Sequence, residues 1–230
     1  KTKISISNDE TRHYLNGIYL HKTKLENKSF LCGVATDSHR LSSSSLEIDP
    51  KINIEPIILP KKTIFQLIFL LEQSSGIIKI SNNKSKIKFE INGGVLISKV
   101  IDGRFPDYSK VIPKNNDKIL QIKLDEFRNS IERVATVSSD RTKGLKMAIS
   151  KDAVQLSVNN PSSGEGIENI NAKFNSNDLN ISFNSRYLTD IASQIENEFI
   201  VINLKDASSP VLINDFSDKN SFYVVMPMKI

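Results

Sequence analysis

The order of strand and helix signals in this chain occurs twice, and that repetition restricts the fold more than any single segment does. Gly17 opens one run of short strand-like segments and Gly144 opens another, 127 positions later (144 − 17). The helical stripe entered at Pro60 has a counterpart entered at Asn184, 124 positions later (184 − 60). Two similar units therefore follow one another, and 230 residues accommodate two domains of ordinary size.

Strand signals dominate both units. They run over Gly17–Leu20, Phe30–Thr36, Gly76–Ser81, Lys86–Ile91, Leu96–Val100, Lys118–Lys123, Leu145–Ser150, Val154–Asn159, Glu168–Phe174, Asn180–Phe183, Phe199–Leu204, Val211–Asn214 and Phe222–Met226. Most are β-branched or alternating and end at Asn, Asp, Gly, Ser or Pro. Helical spacing is confined to three stripes: Ile64, Leu67, Ile68 and Leu71; Phe127, Ile131, Val134 and Ala135; and Tyr187, Leu188, Ile191, Ala192 and Ile195. The class is α+β with strands in excess. The second unit opens on a full helix expected over Leu124–Ser138, whereas only a few residues precede Asn8 in the first, which reads as a domain cut near its start. Such units close helices on one surface and sheets on the other. The polar helix faces carry Lys61, Lys62, Arg128, Arg133 and Arg186 but also Glu72, Glu126 and Glu132, so the charge is mixed.

No apolar run approaches the roughly 20 residues of a membrane-spanning helix, and the expectation is a soluble protein without a membrane partner. Cys32 is the single cysteine and cannot form an internal disulfide. Residues 1–5 lack the apolar core of a signal peptide and an initiator methionine, which suggests a cytoplasmic chain cut from a longer one. The net charge of +5 favours a polyanionic partner only mildly.

Ala35-Thr36-Asp37-Ser38-His39-Arg40-Leu41 gathers Asp, Ser and His in the manner of a hydrolase. Neighbours on one strand cannot align as nucleophile, base and carboxylate, and no Gly-x-Ser-x-Gly elbow accompanies them. A strand-end turn, with Asp37 bound to local backbone and His39 and Arg40 lining a pocket, is the alternative. His13, His21 and His39 are too scattered for a metal site. Gly93-Gly94 joins two strands and lacks the Gly-Lys pattern of a phosphate loop. Asp102 to Tyr108 stands at the join of the units, where Phe105 and Tyr108 can pack between them and Pro106 stiffens the backbone. Residues 223–230 end the chain on an apolar stretch suited to an adaptable greasy groove; a buried terminal strand explains Val224 to Met226 as well.

Taken together, Tyr14-Leu15-Asn16-Gly17, Ala35 to Leu41, Asp102 to Tyr108 followed by Pro113-Lys114-Asn115, Asn159-Asn160-Pro161 and the terminal Tyr223 to Ile230 resemble the β subunit of bacterial DNA polymerase III, the replication sliding clamp. The resemblance runs along essentially the whole chain. It implies a DNA clamp fold of repeated domains, helices on an inner face and antiparallel sheets on an outer one. Residues 1–108 would be the N-terminally truncated middle domain and 109–230 the C-terminal domain. The implied function is a non-enzymatic ring that encircles double-stranded DNA without sequence preference and needs no cofactor. Its implied partners are the polymerase III catalytic subunit, the clamp loader, other polymerases and repair proteins carrying clamp-binding peptides, and a second copy arranged head to tail.

Residue by residue, the family's client-peptide cleft maps onto Leu15, Thr36, His39, Arg40, Leu41, Pro106, Val111, Asn184, Tyr187, Val224, Val225, Met226, Pro227 and Met228. Arg12, Tyr14, Lys61 and Lys62 map near the DNA path, with His13 in place of a family tyrosine. Thr136, Val137, Glu165 and Glu168 match one side of the ring-closing surface. Ser38 stands where the family often has glycine, Lys110 and Lys229 where some members have arginine, Thr142 where an aromatic occurs and Pro210 near a common serine. Two other classes stay open on the residues alone: a hydrolase using Asp37, Ser38 and His39, and a β-rich interaction module unrelated to replication.

Overall fold

A computed structural model describes residues 1–138 and 143–229. The chain divides into two compact units, Lys1–Asp107 and Tyr108–Ile230. The first contains β1 (Gly17–Leu25), β2 (Lys28–Thr36), β3 (Arg40–Ile48), β4 (Ile57–Pro60), α1 (Lys61–Glu72), β5 (Lys79–Asn82), β6 (Lys86–Ile91) and β7 (Gly94–Lys99). Its strands are antiparallel in the order β4-β1-β2-β3, with β5-β6-β7 as a separate three-stranded sheet. Alternation decides the faces of β6: Ile87, Phe89 and Ile91 are buried, while Lys86, Lys88 and Glu90 point outward. The β6–β7 hairpin turns on Asn92 and Gly93, both at positive φ (47° and 80°), so its centre lies one residue before the expected Gly93-Gly94 pair.

The second unit contains β8 (Lys118–Lys123), α2 (Leu124–Ala135), β9 (Gly144–Ser150), β10 (Ala153–Asn160), β11 (Gly164–Phe174), β12 (Leu179–Asn184), α3 (Ser185–Ala192), β13 (Phe199–Leu204), β14 (Val211–Asp215) and β15 (Asp218–Val225). Here the order is β12-β9-β10-β11-β8-β13-β14-β15, all antiparallel. The α2 stripe of Leu124, Phe127, Ile131 and Val134 is buried, and the helix packs on β10, β11, β8 and α3.

The repeat extends to single hydrogen bonds. Gly17 pairs with Pro60 across β1 and β4, and Gly144 pairs with Asn184 across β9 and β12. In each unit the next residue opens a helix and donates its N–H to the carbonyl preceding the strand glycine: Lys61 to Asn16 at 3.0 Å, and Ser185 to Lys143 at 2.7 Å. A Cβ on Gly17 would lie 2.1 Å from the Leu59 carbonyl oxygen, so this crossing accepts only glycine.

Several expectations change. β3 and β4 were not among the expected strands: Ser42 and Ser43 are buried in the sheet and the Ser42 hydroxyl meets that of Ser5 at 2.6 Å. α2 stops at Ala135 rather than Ser138, because the Asn160 side chain takes the Val137 carbonyl at 2.8 Å and turns the chain. Phe105 is buried and stacks on Tyr19, the ring centres 4.9 Å apart. Thr142 and Ile230 lie outside the described residues.

Candidate functional site

Asp37 organises the β2–β3 turn. One carboxylate oxygen accepts from the backbone N–H of His39 and of Arg40, each at 3.0 Å, and the other accepts from Arg40 Nε at 3.0 Å. Thr36 Oγ1 closes the turn by donating to the Arg40 carbonyl at 2.7 Å. The Ser38 hydroxyl accepts from Arg12 Nη1 at 2.6 Å. The Asp37 carboxylate is thus bound to the turn backbone and Arg40, not to the His39 ring as a nucleophile–base–acid relay would need. Ser38 sits at φ +77°, a left-handed position that glycine adopts at less cost.

Within the first unit, Thr36, His39, Arg40 and Leu41 belong to this turn, and the Arg12–Ser38 bond ties to it the 3-10 turn Glu10–Leu15. His39 is exposed, whereas Leu15 and Leu41 are each 2% exposed and act as backing. Pro106 is exposed near the unit's end. Within the second unit the terminal segment returns along β12: the Met228 N–H donates to the Ser182 carbonyl at 2.7 Å, which sets residues 226–228 beside Asn184 and the start of α3, where Tyr187 lies. Asn184 caps α3 by accepting from the Arg186 N–H at 3.0 Å. Val224 and Val225 are buried in β15, so the open apolar surface of the terminus is Met226, Pro227 and Met228. Val111 is 48% exposed.

Lys61, Lys62, Arg12 and Tyr14 come from the start of α1 and the adjacent 3-10 turn. The Lys61 ammonium binds the Asn8 side chain. Arg12 is held by Asp9 at 2.8 Å, and the hydrogen bonds of Thr11 and Arg12 lower the Asp9 carboxyl from 3.8 to about 2. That pairing neutralises Arg12 and leaves Lys62, exposed and unbonded among the described residues, as the freest of the three cations. His13 holds the Asp102 carbonyl at 3.1 Å, and Gly103 passes so close that a Cβ would lie 3.1 Å from that of Tyr14.

Thr136, Val137, Glu165 and Glu168 meet at one corner of the second unit, where α2 ends and β11 begins. Arg133 clasps Glu168 with two bonds of 2.6 and 3.0 Å, which holds the carboxyl below and the guanidinium above their usual ranges. At Gly166 a Cβ would lie 3.1 Å from the Val134 carbonyl oxygen and from Val137, so glycine admits the helix end to the strand. β8 pairs with β11 only at Ala172–Phe174, which leaves residues 165–171 of β11 paired on one side, to β10. Sequence reasoning missed Arg133 and Asn160 at this corner, because their partners lie 35 and 23 residues away.

Residues 1–107 match the family model of the DNA polymerase III beta subunit central domain, and residues 109–229 match that of its C-terminal domain. The chain belongs to the DNA polymerase III beta subunit family. Beta sliding clamps of Caulobacter vibrioides and Escherichia coli K12 are 36% and 31% identical over 231 and 229 residues, covering all of this chain and 62% of each relative. The chain thus spans about 62% of the length of the curated relatives it matches. A solved sliding clamp of Bartonella birtlesii bound to griselimycin superposes with a TM-score of 0.97 at 39% identity, and one from Pseudomonas aeruginosa with 0.93 at 31%; each comparison covers all of this chain and 62% of the other. The fold is therefore the DNA clamp fold. Among the described residues no cluster of three or more His, Cys, Asp or Glu could hold a metal ion, and no helix is long and apolar enough to cross a membrane.

Proposed function

We propose that this chain is the client-docking part of a DNA sliding clamp, a processivity factor that encircles duplex DNA and tethers the replicative polymerase through a hydrophobic peptide cleft. The observation that carries the reading is the tiling of the chain by two successive clamp domains, in the family's own order, with no intervening segment of another kind. In a ring, retention on DNA is topological, so contacts need only be weak, water-bridged and directed at phosphates. Partly neutralised cations such as Arg12 beside Asp9 suit that demand, because a sliding contact has to release as readily as it forms.

The cleft would take a short linear peptide of the Gln-Leu-x-Leu-Phe kind, contacted by Met226, Pro227, Met228, Tyr187 and Asn184 and by Thr36, His39, Arg40 and Pro106. Leu15, Leu41, Val224 and Val225 would back it, and Val111 would stand at its margin. Burying a Leu and a Phe contributes roughly 1.5–3 kcal/mol each, less than the roughly −8 kcal/mol of a micromolar complex once ordering costs are subtracted. Clients would therefore exchange readily among the polymerase III catalytic subunit, the clamp loader, other polymerases and repair proteins. The reading includes no catalytic step, a cytoplasmic location, and head-to-tail closure of the full-length protein through Thr136, Val137, Glu165, Glu168 and the half-paired edge of β11.

The test is fluorescence anisotropy of a labelled Gln-Leu-x-Leu-Phe peptide titrated with the chain, beside a variant lacking Met226 to Ile230. Saturation in the micromolar range that disappears in the variant is the expected result. Equal binding by both proteins, or no binding by either, would remove the cleft from this chain.

A further inference from the structure

We infer, resting on the cleft proposed above, that Arg12 is a positioning residue for client peptides: it reaches across 26 residues of sequence and holds the β2–β3 turn, through Ser38, in the shape that presents His39. Its guanidinium is bonded at two points, Nε donating to Asp9 Oδ2 at 2.8 Å and Nη1 to the Ser38 hydroxyl at 2.6 Å. Asp9 is fixed in turn, since its other oxygen accepts from the Thr11 N–H at 2.9 Å and from the Thr11 hydroxyl at 2.6 Å. A planar fork anchored at one point can therefore act as a strut at the other. The backbone leaves 3-10 geometry at Arg12 itself (φ −114°, ψ 56°), so the kink falls at the residue that makes the bridge.

The bonds that shape the turn from within are local. Thr36 Oγ1 accepts from the Ser38 N–H at 3.1 Å and donates to the Arg40 carbonyl, while Asp37 binds the N–H groups of His39 and Arg40. These set the curvature of the tip; the Arg12–Ser38 bond fastens the tip to the neighbouring 3-10 turn. His39 follows Ser38 directly and is exposed, so the setting of the Ser38 backbone governs where its ring stands.

The second unit shows why a hydroxyl matters here. Its β10–β11 turn places Gly164 at φ +98°, 126 positions (164 − 38) beyond Ser38 at φ +77°. Glycine takes that conformation without strain, and a Cβ on Gly164 would meet nothing within 4 Å. The second unit ties its turn to the end of α2 by another bond, from the Asn160 side chain to the Val137 carbonyl at 2.8 Å. The first unit keeps a strained side chain at the glycine's place, and that side chain is the one that holds Arg12. Backbone strain of this kind persists where the surrounding structure over-determines it.

Amide hydrogen exchange read by NMR, and anisotropy of the labelled Gln-Leu-x-Leu-Phe peptide, each run as a double-substitution cycle on this chain, test the strut. Arg12→Ala should speed exchange of the His39 and Arg40 amides and weaken peptide binding, each roughly threefold, the scale of an exposed charge-assisted bond. In a Ser38→Gly background the same Arg12→Ala change should move neither, because the partner is already gone. Arg12→Lys keeps the charge without the fork and should behave as Arg12→Ala. Equal effects of Arg12→Ala in both backgrounds would overturn the proposal, as would an Arg12→Lys protein indistinguishable from the parent. A parent that binds no peptide would remove the cleft and with it the client role of Arg12, whereas a parent that binds, with variants of equal affinity, would remove the positioning role alone.

Discussion

The two units share one sheet plan and differ in what covers it. β4-β1-β2-β3 in the first corresponds to β12-β9-β10-β11 in the second, down to the paired strand glycine and helix-opening residue. The second unit adds β8 and α2, which seat Phe127, Ile131 and Val134 at 0–1% exposure and complete the burial of Leu188, Ile191 and Ala192 on α3. The first unit has the short 3-10 turn Thr2–Ser5 against β1, β2 and β3, where the second has α2 against β10 and β11. Leu67, Ile68 and Leu71 of α1 consequently remain partly exposed. One sheet can thus be specified twice by strand and turn signals, while the depth of its core depends on a second layer.

That contrast predicts unequal stability. Phe127→Ala in the covered unit should cost about 3–5 kcal/mol, the range for a large buried aromatic, and Leu67→Ala in the open unit only about 1 kcal/mol. Urea unfolding followed by hydrogen exchange resolves the two, and equal costs would break the comparison. Gly17→Ala should destabilise the first unit by about 2–4 kcal/mol through collision with the Leu59 carbonyl, leaving protection of the second unit unchanged. Asn160→Ala strips the Val137 carbonyl of its buried partner and should cost about 1–3 kcal/mol, confined to the second unit.

Acid sharpens the comparison further. The Asp9 carboxyl is depressed from 3.8 to about 2 in the folded state, so its contribution is fully present above pH 4 and fades as pH falls towards 2. Thr136 stands at the matching position of the second unit, so Asp9→Asn should flatten the acid loss of protection in the first unit and leave that of the second, where the Asp206 and Glu168 carboxyls are themselves depressed, unchanged. The smallest effect is expected for Ser38→Gly: relief of the φ +77° strain should stabilise the β2–β3 turn by about 0.5–1 kcal/mol, less the exposed Arg12 bond, read as a small rise in melting temperature.

Strand existence was legible wherever side chains alternated, as in β6 with Ile87, Phe89 and Ile91, and the helices were legible from stripes such as Phe127, Ile131 and Val134. β3 was hidden because serine is read locally as a turn former, while its burial depends on the neighbouring strand and on Ser5. The function of Asp37 as a turn organiser was legible, since its bonds reach only three residues along the chain. The Arg133–Glu168 clasp was not, since 35 residues separate its ends.

By itself the sequence determined the repeat, the α+β class, the strand glycines and the motifs that carry the family resemblance, because all of these are written in local spacing and backbone preference. The tertiary structure alone decided which apolar residues back a surface and which form it, as with Val225 and Met226, and which cations are already taken, as with Arg12 and Arg133. Burial and ion pairing depend on distances between segments remote in sequence, and no local pattern encodes those distances.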